Sequence, residues 1–207
     1  MKFLIIIMLL VINIQAAIYM GINVGAAAYR VKDEIAGSFY DFSQIYYKVP
    51  VYYKHESTRV LTPIDIHVGL GYIDKWMAEL KLEVANNEYF GFVFGVKKGF
   101  KTSYQDLYNY FNIAIMGEFF YTGLPVEEYN QGFLGANGGI SLGYGAAYRL
   151  NSYFDIQMGV DLIFRNGGDL DNAVDFEGSA TREFFPGIKL YMGINFNLGD
   201  NVAPTSL

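Results

Sequence analysis

The chain has 207 residues, with 15 Lys and Arg against 21 Asp and Glu, no cysteine and an apolar share of 52%. Without cysteine there is neither a disulfide scaffold nor a thiolate metal site, and the acidic balance argues against nucleic acid as a partner, because phosphates need clustered Lys and Arg. Only 17% of residues are charged, while Tyr and Phe together number 35 and Gly 23, which excludes a disordered acidic chain and points to an all-β fold.

Met1-Lys2 supplies a positive start, residues 3–12 an apolar core, and Ile14-Gln15-Ala16-Ala17 a small-residue cleavage site, so residues 1–16 read as a secretory signal peptide. The apolar run is about half the roughly 20 residues of a membrane helix and has no second of its kind, which speaks against a helical bundle. Removing Lys2 leaves 14 basic and 21 acidic residues, a net charge of -7 over 191 residues. That length suits one domain, residues 17–198, followed by a short tail at 199–207.

From Ile18 onward the period is two. Along 18–29, Ile18, Met20, Ile22 and Val24 oppose Tyr19, Gly21, Asn23 and Gly25. Along 44–54, Ile45, Tyr47, Val49, Val51 and Tyr53 oppose Tyr46, Lys48, Pro50, Tyr52 and Lys54. Segment 61–73 sets Ile64, Ile66, Val68 and Leu70 against Asp65, His67, Gly69 and Gly71. Segment 76–84 sets Ala78, Leu80, Leu82 and Val84 against Met77, Glu79, Lys81 and Glu83. Segments 88–98 and 106–121 continue with Phe90, Phe92, Phe94 and then Phe111, Ile113, Ile115 on one face. In the last third, 139–149 and 154–164 flank a tight turn at Asn151-Ser152, and 188–198 follows a Gly/Asp/Asn-rich stretch at 165–182. Counting 44–54 and 76–84 together gives nine strands, which breaks the even number of bacterial barrels. Segment 44–54 is the expected spanning strand, since the outer loops then have similar lengths, and 76–84 becomes a projecting ribbon; Pro50 counts against this choice.

Alternation alone leaves open whether the apolar face looks inward, as in a soluble lipid-binding barrel, or outward to lipid. The second face decides, because it is mostly Gly, Ala, Asn and Tyr with isolated charges instead of the Lys, Glu and Thr of a wet surface. Such a face fits the confined lumen of a small barrel. The apolar face carries Tyr72, Phe90, Phe119, Tyr148, Phe154, Phe164 and Phe196 near strand ends, where membrane interfaces want aromatics. The expected fold is an eight-stranded antiparallel transmembrane β-barrel, an up-and-down meander. Its lumen charges nearly balance: Asp65, Glu118, Asp155 and Asp161 against Lys48, Lys54, Arg149 and Lys189, with Lys97 near a rim and His67 able to join either side. An unpaired charge there costs several kcal/mol, so a packed ion-pair network is the expectation and a charged constriction for small solutes the alternative.

Three hairpins, 49–54 into 66–72, 91–115, and 142–151 into 153–164, resemble those of the OmpA-like family of small bacterial outer-membrane β-barrels. The final strand carries Gly193, Phe196 and Leu198 at the spacing of that family's C-terminal assembly signal. The resemblance implies the outer membrane of a diderm bacterium, outer-membrane lipids and the outer-membrane assembly machinery as partners, and both termini in the periplasm. It further implies turns near 55–61, 99–104 and 151–152, with exposed loops near 32–43, 74–87, 122–136 and 165–183 that are open to a host or surface ligand.

Signs of chemistry are few. His55 lies beside Glu56 and Ser57, in what the expected topology makes a periplasmic turn, and His67 lies two residues from Asp65. The first set reads as solvated and the second as an ion pair, so no enzyme is expected. Gly143 and Gly145 fall inside an alternating strand, without the helix that phosphate binding needs, and no cofactor or metal is expected. The role expected is structural or surface-interacting through the loops, with a narrow porin-like channel as the alternative and a lipid-modifying enzyme behind both.

Overall fold

The computed structural model describes residues 17–41, 47–86, 89–123, 132–171 and 176–198. The segments read as a signal peptide (1–16) and a tail (199–207) lie outside them. The described residues form eleven strand segments: β1 (Ile18–Asp41), β2 (Tyr47–Leu61), β3 (Ile64–Gly71), β4 (Trp76–Ala85), β5 (Tyr89–Lys101), β6 (Leu107–Gly123), β7 (Gly132–Arg149), β8 (Phe154–Arg165), β9 (Gly168–Asp171), β10 (Phe176–Phe184) and β11 (Gly187–Asn197).

Following paired residues sideways closes a ring. Ile18 pairs with Leu70, then Ala78, Val96, Ile113, Leu142, Leu162 and Ile188 follow in turn, and Ile188 pairs with Ala28, back on β1 and ten residues further along. All ladders are antiparallel, so the fold is the eight-stranded up-and-down barrel. A stagger of ten residues over eight strands tilts them by about 40°.

Eleven segments make eight staves because three interruptions leave the chain direction unchanged. β2 and β3 share one register against β1, running from Asp41↔Tyr47 to Ile18↔Leu70. The gap between them is Thr62-Pro63, where proline has no N–H to give; its carbonyl accepts from Gly25 N at 2.8 Å. Between β8 and β9, Gly167 is one extra residue, and between β10 and β11 Pro186 is another. Each bulge inverts the alternation of its stave.

The ring corrects the choice between the two competing segments. β4, within 76–85, is hydrogen-bonded to β3 and β5 along its length and spans the barrel wall. Residues 47–61 are the upper part of the second stave and lie beyond the belt. The physical reason is plain on the outer face: β4 offers Leu80, Leu82 and Val84 to lipid, whereas β2 offers Lys48, Lys54 and Glu56. The turns on the side of the termini therefore fall at 72–75, 102–106 and 150–153; those expected near 99–104 and 151–152 overlap the last two, whereas 55–61 is strand. Most described residues of the stretches expected as loops at 32–43, 74–87, 122–136 and 165–183 are strand, while 42–43, 87, 124–131 and 172–175 lie outside the described residues. At the last of the turns Asn151 Oδ1 accepts from the backbone N of Tyr153 and Phe154 at 2.8 and 3.1 Å. At the first, Gly71 has φ +135° and packs against the Trp76 carbonyl, a place no side chain can occupy.

The apolar face points outward. Ile22, Ile66, Leu80, Phe94, Ile115, Leu142, Leu162 and Leu190, one per stave, are 44–62% exposed, while the inward Asn23, His67, Glu79 and Gln157 are 1–2% exposed. Outward aromatics edge this belt, with Phe90, Phe119 and Phe164 above and Trp76, Tyr148, Phe154 and Phe196 on the side of the termini. A tilted strand needs about 9–11 residues to cross a membrane. β4 has 10, but β1 has 24 and β7 has 18, so the wall rises unevenly above the belt. Above it β2, β1 and β10 form a continuous projecting sheet.

Candidate functional site

Two regions hold the polar chemistry: the lumen and the inner face of the projecting sheet. The lumen is layered. Nearest the termini, Tyr19, Ile73, Met77, Tyr108, Tyr110 and Ala147 form an apolar stopper. Interior glycines make room for these rings, since a side chain at Gly69 would strike the Tyr19 ring and one at Gly145 the Tyr110 ring.

Above this lies an ionic layer centred on Glu79. Lys97 and the Tyr19 hydroxyl donate to one of its oxygens at 2.7 and 3.0 Å, and the Lys81 ammonium is ion-paired with the other at 2.9 Å. Asn23 Nδ2 donates to Asp65 at 2.9 Å, and Gln157 donates to Asn23 at 2.8 Å. His67 meets Asp65 through Nδ1 at 2.9 Å and Asn195 through Nε2 at 2.7 Å. Lys189 is ion-paired with Glu83 and, at 3.7 Å, with Asp65. Asn112 and Asn197 donate to Asp161 and Asp155 at 3.0 and 2.9 Å. Buried charges persist only when partnered in this way.

Higher still, Glu118 accepts from Tyr89 at 2.7 Å and from Arg165 at 2.6 Å. Arg182 makes a two-pronged bond to Asp33 at 2.6 and 2.8 Å and lies 4.9 Å from the Phe120 ring. Ile35, Phe120 and Ala180, flanked by Val51, Tyr53 and Phe184, roof this layer. Burial there, with the Asp33 carboxylate nearby, pushes the Tyr53 phenol up. Among the described residues, two interior cavities, one along the ionic layer and one beside the stopper, measure about 10 Å³ each, room for about one water.

Of the residues singled out in the sequence, Asp65, His67, Glu118, Asp155, Asp161 and Lys189 lie in this interior. Arg149 is half-buried at the mouth nearest the termini, opposite Asp155 in the ladder, with its Nε donating to the Asn151 carbonyl at 3.3 Å. Lys48 and Lys54 lie outside the lumen, on the outer face of β2, paired with Glu177 and Glu34 and about half exposed. Reading 44–54 as a spanning strand places them inside; the ring puts that segment above the belt, with its lysine row outward. Lys97 is buried in the interior just above the stopper, where its ammonium meets Glu79 and Gln157 at 2.7 and 3.3 Å. The interior residues not anticipated, Glu79, Lys81, Glu83, Asp33, Arg165 and Arg182, belong to stretches expected as loops or ribbon. The signal for the first three was present, because they recur every second position opposite Ala78, Leu80, Leu82 and Val84.

In β11, Gly193 packs against β1, Phe196 stands in the aromatic edge on the side of the termini, and Leu198 N donates to the Ile18 carbonyl at 2.8 Å. His55 lies in β2 opposite Asp33, not in a turn. Glu56 points the other way and pairs with Arg30 at 2.7 Å, so His55, Glu56 and Ser57 do not converge on one reacting point.

No protein-family model matches the chain, and no curated protein does. Solved structures match in fold. The outer membrane protein OprG from Pseudomonas aeruginosa superposes with a TM-score of 0.55 at 13% identity, over 89% of this chain and 97% of that one. Neisserial surface protein A gives 0.47 at 9%, over 84% and 96%, and the Yersinia pestis attachment invasion locus protein Ail, in complex with a heparin analogue, gives 0.39 at 7%, over 86% and 99%. At these identities the likeness is one of architecture.

Proposed function

We propose that the chain is a non-conducting outer-membrane barrel of a diderm bacterium, which holds a projecting sheet and its connections at the cell surface for contact with a host or surface ligand. The observation that carries this reading is the packed interior: an apolar stopper, an ion-paired layer and an apolar roof lie in series, with cavities of only about 10 Å³. The outward apolar belt with its aromatic edges supports a lipid surround, and the fold shared with OprG supports the same setting. Under this reading residues 1–16 are the export signal, Gly193, Phe196 and Leu198 are read by the outer-membrane assembly machinery, the chain acts without catalysis, and its finer placement is with the OmpA-like barrels.

The test combines two measurements on the purified chain. Folded protein in detergent migrates differently before and after boiling if the barrel is a membrane barrel, and planar bilayers containing it show no discrete openings. Regular ion-selective steps in current would replace the scaffold reading with a channel.

A further inference from the structure

Sorting the lysines by partner separates one group from all others. Lys32, Lys48 and Lys54 on the projecting sheet, and Lys81, Lys97 and Lys189 in the lumen, each meet a carboxylate within 4.0 Å. Lys75, Lys98 and Lys101 have no carboxylate partner among the described residues, and these three share one place, the rim of the β4–β5 pair on the side of the termini. Gly99 N donates to the Lys75 carbonyl at 2.6 Å, which draws the 72–75 turn against β5. Lys98 pairs across the ladders with Trp76 and Phe111, and its Nζ lies 5.1 Å from the Trp76 ring.

The position of Lys98 gives the patch its meaning. It belongs to the outward row Phe90, Phe92, Phe94, Val96, Lys98, Phe100, so its stem follows lipid-facing surface near the end of the strand and carries the ammonium toward the headgroups. Trp76 is 61% exposed beside it, the placement of an interfacial anchor. Cations without a carboxylate partner, near headgroup depth and flanked by aromatics, fit a phosphate fixed at that depth.

We propose that Lys75, Lys98 and Lys101 form a site for the headgroup of an anionic phospholipid in the leaflet on the side of the termini. The inference rests on the membrane reading above, and it adds a preferred lipid class on one sector of the barrel. Attraction to an anionic surface weakens by about fivefold for each lysine lost.

The full-length protein is folded into phosphatidylcholine vesicles containing a minority of phosphatidylglycerol, extracted gently, and the lipids retained on the barrel are counted by native mass spectrometry. Retained phosphatidylglycerol exceeds its share of the bulk lipid in the unaltered chain. The triple variant K75Q/K98Q/K101Q loses that excess, and K32Q/K48Q/K54Q on the opposite side keeps it. No excess in the unaltered chain, an excess that survives in the first variant, or one removed equally by inorganic phosphate overturns the proposal. Flotation with the vesicles is scored in parallel: a chain that floats but shows no excess refutes the lipid site alone, and one that floats with no vesicle refutes the membrane reading as well.

Discussion

Glu79 in the lumen and Glu177 on the projecting sheet each hold a lysine, yet the two ion pairs have different physical weight. Around Glu79 the side chains are at most 6% exposed, and two ammonium groups and a phenol converge on one carboxylate. The Lys48–Glu177 side chains are 51 and 63% exposed, so water and salt compete for both. Below, polar pairs replace an oily core, because the oily face is turned to lipid. Above, where water lies outside, the usual order returns and Ile35, Phe120 and Ala180 pack inward. One barrel thus carries two opposite solutions to burial, joined near the Arg182–Asp33 bond.

Breaking the lower solution has the largest effect. Glu79→Ala leaves Lys81 and Lys97 buried without their carboxylate, and equilibrium unfolding in lipid vesicles shows a loss of about 3–5 kcal/mol for the whole barrel. Ile35→Ala removes a fully buried side chain from the roof and costs about 2–4 kcal/mol. Hydrogen exchange places that loss in β1, β2 and β10 above the belt; equal loss of protection in β4 and β5 would make the two regions one cooperative unit. Arg182→Lys gives up the two-pronged geometry, costs about 1–2 kcal/mol, and speeds exchange at β10 first. Lys48→Ala is the smallest change, under about 1 kcal/mol, and moderate salt erases it; a larger value would mean that the outer face of the sheet is less wet than its exposure indicates.

The same contrast explains what could be read from the sequence. The direction of every belt row was legible, because an outward row such as Ile140, Leu142, Tyr144 opposite Ser141, Gly143, Gly145 has only one sensible solvent on each side. The choice between 44–54 and 76–84 was not settled by period, since both alternate. Loop-length balance pointed the wrong way, and composition did not decide either, because 44–54 has an apolar row of its own in Ile45, Tyr47, Val49, Val51 and Tyr53; the ring shows Val51 and Tyr53 of that row turned inward to the roof and Lys48 and Lys54 turned outward. The interior roles of Arg165 and Arg182 were hidden for another reason. At Gly167 and Pro186 the alternation changes phase, so a search for one unbroken period loses the stave there. Pairings between distant strands, such as Lys97 with Glu79, depend on the stagger of the closed ring, and the local pattern carries no information about it.

The inserted residues at Gly167 and Pro186 occupy neighbouring staves and cancel. Thr181↔Asp169 above them and Gly187↔Ile163 below keep one common offset, although each stave has shifted against its other neighbour. They act like a matched pair of frameshifts, the second restoring what the first displaces. The wall here should therefore tolerate length changes only two at a time: losing either residue alone would throw β9 and β10 out of phase and disturb the Arg182–Asp33 bond, whereas losing both would leave the seam between the two staves intact.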